Sequence, residues 1–408
     1  MLTNALQETR VLDFAQVGAG PCTAMLLGDM GAEVIKIESF GGDIGRKLGP
    51  PFQHGESTTS MALNRNKRSI AIDLKRREGV ALVHRMAKTA DVVVESFRPD
   101  VMDKLGVGFA ALAQIQPRIV YCAISAYGQS GPWRDKPGVD GVLQAVSGLM
   151  SVVGLAGQAP CKVQIPAVDM TTGFLGALAI VSALHTRNRE GKGGLLDVSM
   201  YNCALMFQSV GITNFLSSGG FPAKTGSVAP YSAPNEAIPT QDGWIMIAAY
   251  HEDRWKALCN LIGEPELINH PAFVDSPRRV ANRDQMVAHL AKTFRTKSTA
   301  AWQALLEASD IIAASIAAYD TVVASPQAEH NNAIVTMRNA IAGEVRMPGF
   351  LLGDRDSRAR VHRPPPVIGE HSKEILLSFG YNHDEADTLI ATGVVKQWDG
   401  AGAQGEER

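Results

Sequence analysis

The stretch RVLDFAQVGAGPCTAMLLGDMGAEVIKIE, residues 10–38, decides the fold of this chain. Its first residues, 10–16, form a short apolar run that predicts a β-strand. Residues 21–30 open on a proline and predict a helix. Residues 33–38 (EVIKIE) are a short run rich in β-branched residues and predict a second strand. Strands separated by helix-length segments are typical of a parallel sheet.

The same alternation continues through the first half of the chain. Further strands are predicted at residues 69–74, 91–96, 118–125 and 195–200. Helices are predicted at residues 78–89, 171–189 and 201–216. The sequence therefore predicts the α/β fold class, with a parallel sheet of Rossmann type.

Composition shifts along the chain suggest the domain boundaries. Residues 217–239 are rich in Gly, Pro and Ser, and predict a linker. After it, a strand at 244–250 and a helix at 253–262 begin a smaller α+β domain, placed at residues 240–334. We expect residues 335–408 to return to the first domain, residues 1–216, and to complete it.

The overall composition excludes several functional classes. Of the 408 residues, 45% are hydrophobic and 20% are charged, and the net charge is −2, so no basic field points to nucleic acid. The five cysteines contain no CxxC pair, which favours a reducing, cytoplasmic location and offers no metal-ligand spacing. The most apolar stretch, residues 174–184, is shorter than the roughly 20 residues that span a bilayer. We therefore expect no metal site and no membrane contact.

A glycine-rich turn follows the first predicted strand. Gly18-Ala19-Gly20-Pro21-Cys22-Thr23 leads into the helix, and Glu38 ends the next strand. The spacing resembles a dinucleotide-binding fingerprint, but Thr23 replaces the third glycine. A dinucleotide site and a plain tight turn both remain open, and the second is favoured. Either interpretation predicts a crevice at the carboxyl ends of the strands.

Basic residues gather near the third and fourth strands. One cluster covers residues 64–68, a second covers residues 75–77, and Arg98 and Lys104 follow the next strand. Loops at one sheet edge with this composition suit a polyphosphate. The competing interpretation, a solvated charged surface, is favoured on these residues alone.

Several motifs in one order give the chain a resemblance to a known family. They are VLDFAQVGAGP (11–21), GAEVIKIE (31–38), NKRSIAIDLK (66–75), ADVVVESFRPDVMDKLG (90–106), SAYGQSGPWRDKPGVDGVLQAVSGLM (125–150), AVDMTTGFLGALAIVSAL (167–184), GKGGLLDVSM (191–200), PYSAPNEAIPTQDGWIMIA (230–248) and PPPVIGEH (364–371). Together they resemble the class III CoA transferases, which include formyl-CoA transferase, carnitine CoA-transferase and the α-methylacyl-CoA racemases. The resemblance implies a Rossmann-like large domain built from both chain ends, a smaller domain and an interlocked homodimer.

Matched residue by residue, the resemblance also implies a site. Asp169 matches the catalytic aspartate. The positions that match CoA contacts are Val17, Ala19, Ile72, Leu74, Lys75, Ser96, Phe97, Arg98, Lys104 and Met200. Lys75 and Lys104 are the main candidates for the phosphates of CoA, and Arg98 is a weaker one. CoA enters as part of a substrate, and no tightly bound cofactor is implied.

The two carboxylates have structural as well as chemical interpretations. Asp169 precedes the helix predicted from Thr171, where aspartate is a favoured N-cap and the helix terminus favours its ionised form. Carboxylates also act as covalent nucleophiles, which is the role that the resemblance implies. Asp140 matches a second active-site carboxylate, although a cap on a helix at 141–150 is slightly favoured for it.

The resemblance leaves three activities open. The racemase branch uses a histidine where this chain has Val139, and valine cannot accept a proton, which favours CoA transfer. A racemase and a non-catalytic acyl-CoA-binding protein remain the alternatives. A glycine run typical of formyl-CoA transferase has no counterpart near residues 225–235, so we expect an acceptor other than oxalate. A dicarboxylate such as succinate, mesaconate or glutarate would suit a cation among Arg46, Lys47, His54 and Arg65.

Overall fold

The structure is a computed structural model that describes residues 2–350, 352 and 362–402. Part of the segment predicted to complete the large domain, 335–408, therefore lies outside the described residues. The strands are β1 (Arg10–Asp13), β2 (Glu33–Glu38), β3 (Phe52–Gln53), β4 (Glu56–Ser57), β5 (Lys67–Ile72), β6 (Val92–Glu95), β7 (Val120–Ser125), β8 (Gly194–Ser199), β9 (Asn235–Pro239), β10 (Trp244–Ala248), β11 (Ile312–Ser315), β12 (Ile334–Asn339), β13 (Gly343–Pro348) and β14 (Val395–Lys396).

Helices alternate with most of these strands. They are α1 (Ala19–Asp29), α2 (Thr58–Ala62), α3 (Arg77–Ala87), α4 (Val101–Lys104), α5 (Phe109–Ile115), α6 (Asp140–Val146), α7 (Leu149–Val152), α8 (Ala167–Glu190), α9 (Met200–Phe207), α10 (Ser209–Ser218), α11 (Glu252–Leu261), α12 (Ser276–Ala281), α13 (Arg283–Phe294), α14 (Thr299–Ala308), α15 (Tyr319–Val323), α16 (Pro326–His330), α17 (Ser372–Ser378) and α18 (His383–Ala391).

Seven of the described strands form a central sheet in the order β14-β5-β2-β1-β6-β7-β8. All neighbours run parallel except β14, which is antiparallel to β5. From β1 the chain moves outward through β2 and β5, and then returns to β6 on the other side of β1. The strand order therefore reverses between β1 and β6, and a sheet of this kind binds ligands beyond the carboxyl ends of its strands at that point.

The sheet is covered on both faces, as expected for parallel strands. One core cluster joins Leu12, Ile35, Ile70 and Val93 of the sheet to side chains from α3, α5, α17 and α18. The other joins alternate sheet residues, such as Val11, to α1 and α8. The mixed α/β fold with a mostly parallel sheet is thus the fold class that the alternating strands and helices predict.

The described residues divide into two compact units. The first consists of Met1–Met150, Lys162–Gly220 and Ser325–Arg408, and the second of Ser151–Cys161 and Phe221–Ala324. In the second unit, β9, β10 and β11 form an antiparallel sheet whose core includes Trp255 and Trp302. The predicted linker, residues 217–239, contains β9, a strand of this sheet, and so differs from the structure at its carboxyl end.

The first basic cluster has a role that neither sequence interpretation anticipated. Arg65 forms a buried ion pair with Asp29, at 2.5 Å, and Lys67 forms another with Asp13, at 2.8 Å. Arg68 pairs with Glu33 and Glu374. These cations are buried and neutralised within the first unit, so both interpretations of residues 64–68, a solvated charged surface and a polyphosphate site, are wrong.

Helix α8 is long and apolar, and within the described ranges it is the one helix that reaches membrane-spanning length and hydropathy. Its closeness to α1 explains part of this composition. A Cβ at Gly173 would lie 2.6 Å from Cys22 Sγ, and one at Gly176 would lie 2.7 Å from Thr23 Oγ1. Small residues therefore let α8 pack directly on α1, and apolar composition alone does not separate such a core helix from a membrane span.

Candidate active site

The candidate site lies where the strand order reverses. The loop after β1 runs through residues 14–18 into the N-terminus of α1, and Ser96 follows β6. The Ser96 hydroxyl accepts a hydrogen bond from the backbone N–H of Gln16 at 2.8 Å, which ties the two loops together. The side chain of Asp169, which belongs to α8, reaches the loop after β1 because α8 packs on α1.

Asp169 is the third residue of α8 and lies against Gly18. A Cβ added to Gly18 would be only 2.2 Å from Asp169 Oδ2, so only glycine leaves room for this carboxylate. The prediction that Asp169 caps a helix beginning near Thr171 is wrong, because α8 begins at Ala167 and Pro166 occupies the cap position. The carboxylate is therefore available to face the loop after β1.

Asp140 provides the cap that α8 needs. Its Oδ2 accepts hydrogen bonds from the backbone N–H groups of Val168, at 2.8 Å, and Asp169, at 3.2 Å. Asp140 is itself the first residue of α6 and makes no cap bond to that helix, so the favoured prediction of a cap on its own helix is wrong. A carboxylate on the first turn of a helix satisfies otherwise unpaired N–H groups.

Gln144, which is not among the site residues predicted from the sequence, holds the Asp140 carboxylate in place. Its side-chain amide donates to Asp140 Oδ1 at 2.6 Å, and its oxygen accepts from the backbone N–H of Val163 at 2.9 Å. Gln144 is fully buried. Its spacing of four residues from Asp140 on one helix is a local signal that pointed to this contact.

The surroundings of Asp169 favour the neutral form of its side chain more strongly than water favours the neutral form of an exposed aspartate. Burial, followed by the charge of Asp140, raises the pKa of Asp169 to about 7, and the backbone N–H of Ala19 opposes this rise. The position of Asp169 at a helix N-terminus, taken alone, predicts an ionised carboxylate. Desolvation outweighs that contribution, because removing a carboxylate from water disfavours its charge more strongly than a helix terminus favours it.

Two predicted phosphate ligands meet in one cavity. Lys75 follows β5 and Lys104 ends α4, and both side chains, together with Leu74, line a cavity of about 580 Å³. The cavity is completed by Arg76, Arg77, Val80, Ala81, His84 and Leu105. Its lining carries several cations at the carboxyl edge of the sheet, which suits an anionic ligand.

The remaining predicted CoA positions differ in exposure. Val17 and Ala19 belong to the loop and helix terminus that adjoin Asp169, and Ala19 is buried. Phe97 is half-buried and packs on the core, whereas Arg98 is exposed and does not line the cavity of Lys75. Ile72 and Met200 have exposures of 1% and 8%, and their side chains belong to core clusters. These two side chains therefore face the core rather than an open cavity.

The cations proposed for an acceptor carboxylate are mostly engaged. Arg46 donates two hydrogen bonds to Glu38, both at 2.8 Å, and Arg65 is paired with Asp29. His54 is within 3.0 Å of the carbonyl oxygen of Ala342. The structure therefore removes Arg46 and Arg65 from that role and leaves Lys47 exposed.

Comparisons with known proteins agree on one family. The family model described as "CoA-transferase family III" matches residues 6–372. The chain is 33% identical to succinyl-CoA:glutarate CoA-transferase of Mus musculus, over 96% of this chain and 90% of that protein. It is 35% identical to acetyl-CoA:oxalate CoA-transferase of Acetobacter aceti, over 83% of this chain and 86% of that protein.

A solved structure extends the agreement to three dimensions. The structure of a CAIB/BAIF family protein from Brucella suis superimposes with a TM-score of 0.81 at 31% identity, covering 91% of this chain and 98% of that one. This chain is an enzyme that belongs to CoA-transferase family III.

Proposed function

We propose that the protein moves CoA from an acyl-CoA donor to a carboxylic acid acceptor through covalent intermediates on Asp169. The contact between the Asp169 carboxylate and Gly18, at the reversal point of the sheet, carries this proposal. A carboxylate at this place is close to the crevice that an α/β sheet offers to a ligand. No other group is required as nucleophile, because carboxylates form acyl intermediates directly.

The first half-reaction removes CoA from the donor. An Asp169 oxygen attacks the thioester carbonyl carbon, the C–S bond breaks, and a mixed anhydride and CoA thiolate result. The thiolate then attacks the aspartyl carbonyl of the anhydride. The bond between the aspartyl carbonyl carbon and the bridging oxygen breaks. The donor carboxylate leaves with that oxygen, and CoA remains as a thioester on Asp169.

The second half-reaction reverses these steps with a new acid. The acceptor carboxylate attacks the aspartyl thioester, expels CoA thiolate and forms a second anhydride. The thiolate attacks the acceptor acyl carbon, and Asp169 leaves as a carboxylate. Charge is conserved throughout, so neither a proton donor nor a metal ion appears in the balance of these steps.

We assign the CoA part of the substrate to the cavity of Lys75 and Lys104. Lysine side chains bind phosphates as point charges, and the lining residues Arg76 and Arg77 add to the positive potential. Val17, Ala19 and Ser96, beside Asp169, would contact the thioester end of CoA. Ile72 and Met200, which are buried, would then contribute through their backbone atoms.

We propose a dicarboxylate as the acceptor. This rests on the names of relatives, which include transferases for glutarate and for oxalate, and not on a cation placed by the structure. The oxalate relative means that oxalate belongs in the test panel, even though the missing glycine run predicts another acceptor. Succinate, glutarate and mesaconate complete the panel.

We also propose the assembly that the sequence resemblance implies: an interlocked homodimer of subunits with a large domain at residues 1–216 and 335–408 and a small domain at 240–334. Apolar side chains exposed on α8, α9 and α10 support self-association, since monomers rarely expose large contiguous apolar patches. The five free cysteines support a cytoplasmic location.

The test is to trap the intermediate. The protein is incubated with succinyl-CoA, acetyl-CoA and other donors, treated with hydroxylamine, and digested for mass spectrometry. We expect a hydroxamate on the peptide that contains Asp169, and none in Asp169→Asn or in samples without donor. Transfer of CoA to each acid in the panel then identifies the acceptor.

The alternatives give different outcomes. Exchange of the α-proton of an acyl-CoA with deuterated solvent, without an adduct, would support a racemase, although Val139 supplies no base. Tight binding of CoA with neither adduct nor exchange would support an acyl-CoA-binding protein. Either result would contradict the covalent transfer on Asp169.

A further inference from the structure

The loop beside Asp169 contains a residue in an unfavourable backbone conformation. Val17 has a φ of 68°, in the left-handed region. This region is disfavoured for residues with a Cβ and most of all for β-branched ones, and such a conformation persists only where neighbouring groups impose it. The groups that impose this conformation on Val17 therefore lie beside the candidate active site.

Asp43 makes the hydrogen bond that fixes Val17. Its Oδ1 accepts from the backbone N–H of Val17 at 2.9 Å and from that of Gly45 at 2.7 Å. The turn that begins at Asp43 also contacts Val17, since a Cβ at Gly45 would lie 3.2 Å from Val17 Cα. A side chain at this position in place of glycine would push the turn and the loop apart.

Lys36 holds the Asp43 carboxylate and the start of the same loop. Its ammonium lies 3.0 Å from Asp43 Oδ2 and donates to the carbonyl oxygen of Ala15 at 2.8 Å. Both charged side chains are 1% exposed. Because buried ion pairs are screened little by solvent, this pair is a rigid support, and loss of one partner leaves the other unpaired.

The supported loop leads directly to the reacting carboxylate. Val17 is followed by Gly18, which contacts Asp169 Oδ2, and by Ala19, whose backbone N–H interacts with the Asp169 carboxylate. We propose that Asp43, held by Lys36, is a positioning residue for the transfer reaction: it keeps Val17 in the left-handed conformation and so fixes the backbone that surrounds Asp169. This inference rests on the proposed role of Asp169.

A purely structural role for Asp43 would give a different pattern of effects. Asp29, also in the first unit, is buried and forms an ion pair with Arg65, but it lies at the far end of α1 from Asp169. Asp29→Asn therefore weakens a comparable buried pair without touching the loop. It is the matched control for Asp43→Asn.

The experiment compares steady-state and single-turnover kinetics of full-length variants that retain the circular dichroism of the wild type. Asp43→Asn offers a single oxygen where the Val17 N–H and the Lys36 ammonium each need an acceptor, so the support of the loop is lost. We then expect kcat and the rate of adduct formation on Asp169 to fall about 100-fold, the loss typical of a displacement of roughly 1 Å in a site. KM for the donor should change by less than about threefold, since the phosphates supply the electrostatic attraction. Asp29→Asn should keep kcat within about threefold, because it acts on stability alone.

A second variant, Val17→Gly, relieves the backbone strain at this position. Glycine adopts a positive φ without cost, so Val17→Gly no longer needs Asp43 to impose the conformation. We expect Val17→Gly in the Asp43→Asn background to restore kcat about tenfold relative to Asp43→Asn alone, an interaction that a double-mutant cycle measures.

The outcomes separate this inference from the proposed function. A wild-type enzyme without an Asp169 adduct would overturn both. An adduct in the wild type, with equal kcat losses in Asp43→Asn and Asp29→Asn or no gain from Val17→Gly, would overturn the positioning role alone.

Discussion

At the scale of single residues, the site is governed by two carboxylates that share one helix terminus. Asp140 makes hydrogen bonds to the backbone of α8, and its negative charge also raises the pKa of Asp169. A nucleophile with a raised pKa is more basic and therefore more nucleophilic once ionised, but a smaller fraction of it is ionised at neutral pH. The two effects predict a reaction that depends on pH near neutrality.

The first prediction concerns this pH dependence. Because the pKa of Asp169 is raised to about 7, the single-turnover rate of adduct formation should rise with pH to a plateau above that value. Asp140→Asn keeps an acceptor oxygen for the helix but removes the charge, so its midpoint should move to lower pH. Rapid-quench measurements between pH 5 and 9 test this. A wild-type midpoint near the pKa of about 4 of an ordinary aspartate would contradict it.

The second prediction concerns stability. The folded-state pKa of Asp169 exceeds the ordinary value of 3.8, so the folded protein binds this proton more tightly than the unfolded chain does. The ionised carboxylate therefore destabilises the fold, and this cost grows as pH rises from about 4 to 7. Asp169→Asn should increase the free energy of unfolding by about 1–3 kcal/mol at pH 8 and leave it nearly unchanged at pH 4. Urea unfolding at both pH values measures the difference. An equal increase in the free energy of unfolding at both pH values would show that packing, and not the charge of Asp169, causes the effect.

The third prediction concerns Gly18. A Cβ at Gly18 would lie 2.2 Å from Asp169 Oδ2, so Gly18→Ala tests the space beside this carboxylate. The new methyl group would overlap Asp169 Oδ2 and displace the carboxylate, and we expect kcat to fall at least about 100-fold. Gly141→Ala, next to Asp140 in α6, is the control, because its Cβ would meet only Lys162 atoms 3.8 Å away. Comparable losses in both variants would contradict the contact-based explanation.

At the scale of elements, local patterns predicted strands well and helix ends less well. Residues 33–38, rich in Val and Ile, coincide with β2 (Glu33–Glu38), although its polar residues Lys36 and Glu38 are buried together with the apolar ones. Helix α8, predicted from residue 171, begins four residues earlier, at Ala167. Its first turn depends on the side chain of Asp140, 28 residues before Val168, and no local pattern records that contact.

The helix predicted at residues 201–216 shows the same limit. The structure divides it into α9 and α10 at Gln208, whose side chain donates to the carbonyl oxygens of Ser147 and Ala204. The apolar periodicity continues across the break, so periodicity alone predicted one helix. A tertiary contact of a polar side chain decides the break, and such contacts lie beyond what a sequence window contains.

The fourth prediction belongs to the loops that follow β5 and β6. If Lys75 and Lys104 bind the phosphates of CoA, Lys75→Ala and Lys104→Ala should each raise KM for the donor about tenfold, with kcat little changed, because a charged hydrogen bond contributes about 1.5–3 kcal/mol. Donors made from dephospho-CoA, which lacks the 3′-phosphate, show which lysine binds that phosphate, because substitution of that lysine should no longer raise KM. Lys88→Ala, outside this cavity, is the control. Unchanged KM in both cavity variants would place CoA elsewhere.

At the scale of the whole molecule, the sequence predicted the fold class and, through the family resemblance, named Asp169 as the candidate nucleophile, but it did not predict the buried charges. Arg65 and Asp29 are 36 residues apart, and the ion pair depends on the approach of the end of α1 to the residues just before β5. An arginine in a basic cluster resembles a ligand-binding residue in sequence, whether or not a distant carboxylate neutralises it. The resemblance to the family pointed to Asp169 as a candidate, whereas the contact of Asp43 with the loop after β1 is visible only in three dimensions.

The last prediction concerns assembly. Phe174 and Leu178, one turn apart on α8, have exposures of 53% and 61%, and Val210 on α10 is 66% exposed. Burial of a side chain of this size contributes about 1.5–3 kcal/mol, so a partner surface on these helices would stabilise a dimer. Light scattering should show a dimer for the wild type and a monomer for Leu178→Glu combined with Val210→Glu. Ile44→Glu, an exposed apolar residue outside these helices, should remain dimeric. A monomeric wild type at micromolar concentration would refute the proposed homodimer. A double variant that remains dimeric would show that the interface lies on another surface.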